Sequence, residues 1–222
     1  MFAQRLARAR DEMTRQGVDA LLVSVGADLP SLTGYEAMPL ERLTMLVVPR
    51  EGDARLVVPE LEAPRVVPRP DVFEIVAWGE TADPVGIVAD LVGSSGRVAV
   101  GDQTWGTFVV DLVHRLPGVT FGHGSEVMRP LRSVKDAAEV EMLRRAAHAA
   151  DRVAARLRSG AIPLVGRTEA EVSAELGRQL VEEGHDRVNF AIVAAGPNAA
   201  SPHHEPGPTV IEAGQGVLCD FG

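Results

Sequence analysis

Cysteine is almost missing from this chain: Cys219 is the single one in 222 residues. Neither an internal disulfide framework nor a thiolate zinc ribbon can be built from it, and a reducing compartment, the cytoplasm, is the expected setting. Positive charge is also short, since 22 Lys and Arg against 31 Asp and Glu leave a net charge of -9. That is the wrong sign for neutralising phosphate or anionic lipid, so neither nucleic acid nor membrane is an expected partner. No apolar run reaches membrane-spanning length. The opening "MFAQRLARARDEMTRQG" lacks the apolar core and small-residue site of a signal peptide, and its Leu6, Ala9 and Met13 recur at helical spacing instead. There is no glycine-rich phosphate fingerprint either: "GSSG" at 93–96 lacks the spacing and the following helix, and reads as a turn.

What is present is an ordinary globular composition, 45% hydrophobic and 24% charged, long enough for one large domain or two modest ones. The first helix should stop at Gly17, because glycine accepts the left-handed conformation that ends helices, and "DALLVSV" then reads as a buried strand. "LTMLVVP" and "ARLVVPE" flank the turn "REGD", which predicts an antiparallel hairpin. A strand "VFEIVAW", a helix over 84–92, a strand "RVAVGD", a helix over 106–116 and a strand "VTF" follow. This alternation predicts an α/β layer architecture with a mixed sheet.

The pattern changes around Arg129 and Pro130. "SVKDAAEVEMLRRAAHAADRVAARLRSG" reads as one long amphipathic helix capped by Ser133 with Asp136 three residues on. Its packing face is expected at Val140, Leu143, Ala147, Ala150, Ala154 and Leu157. "GRTEAEVSAELGRQLVEEG" gives a second helix with a capping box from Thr168 to Glu171, an apolar stripe of Val172, Leu176 and Leu180, and a stop at Gly184. "FAIVAAG" and "GVLCDFG" read as strands. The expected division is therefore a domain over residues 1–130 and the beginning of a second, α+β, domain over 131–222.

Few residues in this framework can carry chemistry. Ser201 has no nucleophile-elbow context, and Cys219 in an apolar strand reads as a small buried hydrophobe rather than a thiolate. "DFG" at the end has the letters of the kinase magnesium motif, but neither a kinase catalytic loop nor a glycine-rich loop precedes it. His203 and His204 lie next to each other in "AAGPNAASPHHEP", and on an extended segment neighbours point to opposite sides, so at most one faces a given cavity. A His pair in a Pro-rich loop is equally readable as a solvated or structurally bonded feature. Asp220, at the end of a buried-looking strand, is costly unless it is paired or binds a cation.

The order of the segments is more specific than any one of them. "LRSVKDAAEVEMLRRAA", "GRTEAEV", "FAIVAAGPNAASPHHEP" and "VIEAGQGVLCDFG" in succession resemble the pita-bread metallopeptidase family of Xaa-Pro dipeptidases and aminopeptidases, the prolidase-like enzymes. "RLARARDEMTRQGVDALLVS" and the "LTG" at 32–34 are similar to that family's creatinase-type N-terminal domain, which often has a tyrosine before "LTG" where this chain has Ser31. The resemblance implies a ribonuclease H-like α/β N-terminal domain with a mixed sheet, followed by the first half of an α+β pita-bread domain. It also implies hydrolysis of the bond before proline in dipeptides or short peptides, with two divalent cations (manganese, cobalt or zinc) held by two aspartates, a histidine and two glutamates. Two such metals polarise a carbonyl and activate water, while a separate histidine supplies a hydrogen bond or proton.

Carried onto this sequence, the resemblance makes Asp220 the first aspartate ligand, His203 the non-ligand histidine of catalysis, and His204 a neighbouring substrate-pocket residue. The remaining ligands would follow beyond Gly222, and one carboxylate cannot hold two cations. Residues 1–222 alone are therefore expected to be inactive and to belong to a longer enzyme, a homodimer by the family's habit. Two other readings stay open at this point: a creatinase-type C–N hydrolase of a small metabolite, and a non-catalytic binding module whose apolar stripes are core or interface.

Overall fold

Gly17, at φ 66°, ends the first helix in the left-handed conformation that its sequence position calls for. The computed structural model describes all 222 residues, which divide into two compact units, Met1–Val134 and Lys135–Gly222.

In the first unit, helix α1 (Phe2–Gln16) leads into strand β1 (Ala20–Val23), a short helix α2 (Asp28–Thr33), and strands β2 (Met45–Pro49), β3 (Ala54–Pro59) and β4 (Phe73–Trp78). Helix α3 (Pro84–Val92), strand β5 (Gly96–Val100), helix α4 (Gly106–Arg115), strand β6 (Val119–His123) and helix α5 (Ser125–Ser133) complete it. The six strands form one mixed sheet in the order β4-β3-β2-β1-β5-β6. The β2–β3 hairpin is antiparallel, as the turn signal between them predicts, and β1 pairs antiparallel with β2 but parallel with β5.

Alternating residues supply two separate cores, as the two-residue period of a strand requires. Leu21, Val23, Leu46, Val48, Leu56 and Val58 face α1, α2 and α5, where Leu6, Met13, Leu29, Leu32 and Met128 meet them. Ala20, Leu22, Met45, Val47, Val57 and Val98 face α3 and α4, against Val88 and Leu112. Both faces are covered, which is why β1 is buried at every position and reads as a continuous apolar run.

The second unit holds helix α6 (Ala137–Arg158), helix α7 (Glu169–Glu182), and strands β7 (Ala191–Ala195) and β8 (Val217–Phe221), which pair antiparallel. Its core gathers Val153, Ile162, Val172, Leu176, Leu180, Val193, Ala195 and Ile211. The α7 stripe expected from the sequence is the buried one, and its Thr168–Glu171 capping box is formed.

The long helix differs from its sequence reading in three respects. Asp136, not Ser133, caps α6: its backbone is extended, its side chain accepts the Glu139 N–H, and Glu139 returns the bond. Ser133 instead ends α5, with its hydroxyl bonded back to the Arg129 carbonyl. Consequently the units part after Val134 rather than at Pro130, because α5 runs on to Ser133 and its Leu131 belongs to the first unit's core. The packing face is also shorter than expected. It is turned about the axis as well: Ala149 and Val153, outside the expected stripe, are buried, Ala150, Ala154 and Leu157 are partly so, and Val140, Leu143 and Ala147 are exposed. Helix α7 accounts for this: Arg156 bonds to Gln179, Arg152 to Glu183, and His185, just past the end of α7, to the Ala146 carbonyl. The first half of α6 therefore runs beyond the end of α7.

Candidate functional site

The segment 196–216 joins β7 to β8 and carries both histidines. A 3-10 turn, Gly196–Ala200, opens it, and Gly196 at φ 52° lies in the left-handed region. A side chain on Gly196 would crowd Gln215, whose amide lies 3.4 Å from the position a Cβ would take. Further along, the chain runs beside the start of α7. The backbone N–H groups of Glu169 and Ala170 donate to the carbonyls of Thr209 and Gly207, each at 3.0 Å, and Ile211 exchanges bonds with Gly166 and Arg167. The first N–H groups of α7, which a helix cannot satisfy internally, are thereby used to hold this segment.

Glu169 binds it a second time, through its side chain. The residue is the first of α7 and is fully buried. Its Oε1 accepts the Ala195 N–H at 2.7 Å and the Asn198 side-chain amide at 3.0 Å. Its Oε2 accepts His204 Nε2 at 2.8 Å and the Gly207 N–H at 3.3 Å. Burial disfavours the charged form, but the bonds from Asn198, Ala195, His204 and Gly207 outweigh it and hold the Glu169 carboxyl down to about 2. An ionised carboxylate only accepts, so the hydrogen on His204 Nε2 is fixed by its partner. The position at a helix N-terminus favours the same charge.

The three residues singled out from the sequence are therefore in different situations. His204 is mostly buried, with its ring turned to Glu169, whereas its neighbour His203 is exposed, as adjacent residues on an extended segment should be. Asp220 is exposed on β8, on the same face as Leu218 and opposite Ile192 in register, while Val217, Cys219 and Phe221 turn to the core. Burial pushes the Cys219 thiol up, in keeping with an unreactive core residue. No three His, Cys, Asp or Glu side chains converge to hold a metal ion. The residues present thus do not by themselves fit a two-metal centre, which needs several oxygen or nitrogen ligands per ion. No helix is long and apolar enough to cross a membrane.

Glu169 is the residue that sequence reasoning passed over. A carboxylate at the first position of a helix reads locally as a solvated partner of the helix dipole. Its burial depends on Ala195, Asn198, His204 and Gly207, between 26 and 38 positions away.

A six-stranded mixed sheet between helices, followed by two helices and an antiparallel pair whose connection carries "PHHEP", is the architecture implied by the resemblance to a creatinase-type N-terminal domain and the start of a pita-bread unit. The comparisons agree. Residues 5–134 match the Creatinase/Prolidase N-terminal domain, and residues 141–222 match Metallopeptidase family M24. The chain belongs to this creatinase/prolidase family of metallopeptidases. Among curated relatives, one named "Probable dipeptidase PepE" from Mycobacterium tuberculosis is 35% identical over 226 residues, covering 100% of this chain and 60% of the relative. Among solved structures, dipeptidase PepE from Mycobacterium ulcerans superposes with a TM-score of 0.89 at 36% identity, over 100% of this chain and 60% of that one. A prolidase from Thermococcus sibiricus gives 0.91 at 27% identity, over 100% and 61%. The chain thus spans about 60% of the length of the relatives it matches. Its fold is the α/β N-terminal domain with a mixed sheet, followed by the first half of the α+β pita-bread unit.

Proposed function

We propose that this chain is the N-terminal portion of a metal-dependent peptidase that hydrolyses the Xaa-Pro bond of dipeptides or short peptides. The observation that carries the reading is the match, over the full length of the chain, to proteins named dipeptidase and prolidase. The geometry is compatible: His203 is exposed on a segment held at both ends, and Asp220 is exposed on the sheet face turned away from the core. On this reading the unit that ends at Val134 is the creatinase-like domain, and Lys135–Gly222 begins the catalytic one. His203 donates a hydrogen bond or proton to the reacting carbonyl, an interaction that strengthens as charge develops there. His204, its ring bonded to Glu169, borders the substrate pocket only through its exposed edge. Asp220 is one ligand of a divalent centre of manganese, cobalt or zinc whose other ligands lie outside residues 1–222. The protein acts in the cytoplasm, a setting that its single cysteine favours, and works as a homodimer.

The test is an assay of Ala-Pro hydrolysis by the protein expressed from its complete reading frame and verified by intact mass, with and without added manganese. Metal-dependent release of proline is expected. A verified protein that stays inert on Xaa-Pro substrates with manganese, cobalt and zinc each supplied would overturn the proposal.

A further inference from the structure

We propose that Glu169 is a positioning residue: by gripping Ala195, Asn198, His204 and Gly207 together, it sets the path of the segment that presents His203. The proposal rests on the peptidase reading above for its kinetic consequence, though not for its structural one.

The argument is one of geometry. Ala195 is the last residue of β7, and Gly207 lies beyond the histidines, so the two oxygens of one carboxylate reach both ends of the stretch that contains His203. Asn198 ties the intervening turn to the same carboxylate and also to the Thr209 hydroxyl at 3.3 Å. His204, bonded at 2.8 Å, anchors the residue directly after His203. With His204 pinned inward, the alternation of an extended chain leaves His203 facing out. No helix or strand of the unit spans 201–210, so this carboxylate and the backbone bonds to the start of α7 hold the segment. A fully buried glutamate with all four bonds made is a rigid anchor, whereas one left half satisfied would be costly. A displacement of His203 by about 1 Å is enough to cost about 100-fold in rate.

Glu169→Gln tests this. A glutamine keeps the shape but offers one acceptor oxygen and an NH2 that cannot receive the bonds from His204 and Gly207. In the protein expressed from its complete reading frame, the expected result is about a 10- to 100-fold fall in kcat on Ala-Pro with KM and metal content little changed. The same variant should show faster amide hydrogen exchange across 195–207, with α7 and β7 core amides still protected. It should also show a changed ring nitrogen signal for His204, whose Nε2–H tautomer is fixed by an anionic partner in the parent protein. Unchanged exchange and an unchanged His204 signal would overturn the proposal, as would a fall in kcat that only tracks loss of folded protein or metal. If the parent protein does not cleave Xaa-Pro, it is the peptidase reading that falls, and the exchange and ring signals still decide the role of Glu169. Should Glu169→Gln not fold, Asn198→Ala and His204→Ala take its place. Each removes one donor, so loosening of 195–207 in both supports the proposal and its absence from both overturns it.

Discussion

Glu169 and His204, 35 positions apart in sequence, are joined by a 2.8 Å bond from the imidazole Nε2–H to a fully buried carboxylate. The bond separates two histidines that look equivalent in the sequence. One is taken up by the framework, and the other is left exposed beside it.

The first prediction follows from that separation. His203→Ala should keep its metal and its thermal stability but lose about 100-fold or more in turnover on Ala-Pro, because its proposed role lies in the reacting state. Asp220→Ala should do the reverse and deplete the bound metal. Metal analysis beside single-turnover rates checks both, and loss of metal in the His203 variant would contradict the assignment.

Acid stability should report on Glu169. Its carboxyl is held near 2 in the folded chain against an ordinary value of 4.5, so it binds its proton less readily folded than unfolded. The stabilisation is complete above about 4.5 and is lost as the pH falls through that value toward 2, with a size on the order of 3 kcal/mol. Urea unfolding at several pH values should show the parent chain losing stability over this window more steeply than Glu169→Gln does.

The helix boundary between the units offers a contrast of two caps. Asp136→Ala should cost about 1 kcal/mol through the lost bond to the Glu139 N–H. Ser133→Ala, at the end of α5, should stay within about 0.5 kcal/mol. Equilibrium denaturation of the two variants distinguishes them.

Core truncations should follow burial rather than apolar spacing. Leu176→Ala in the 222-residue chain should cost about 2 to 5 kcal/mol, since the side chain is fully enclosed. Leu143→Ala, at a position of the same helical periodicity but 56% exposed, should change stability by no more than about 0.5 kcal/mol. Denaturation midpoints measured under one buffer decide between them.

Much of the framework is local enough to be legible in the sequence. Gly17, the Thr168–Glu171 box and the Val172, Leu176, Leu180 stripe each act within a few residues, and the β2–β3 hairpin is announced by its own turn. The order of motifs likewise identifies the family, because segments spread from one end of the chain to the other agree with it. What failed locally were choices between equivalent signals. Ser133 and Asp136 are both competent caps, and Val140 and Leu157 lie on the same expected stripe; where α5 ends decides the first choice, and how far α7 runs alongside α6 decides the second.

The sequence by itself determined most of the elements and the family, and it singled out His203, His204 and Asp220 as candidates. Tertiary structure alone decided that His204 turns inward while His203 stays exposed, that Asp220 faces away from the core, and that a glutamate with no local mark organises the segment. The physical reason is that burial and hydrogen-bond satisfaction are properties of what the folded chain brings alongside a residue. For Glu169 those neighbours come from β7 and from the segment beyond it, which no short window of sequence contains.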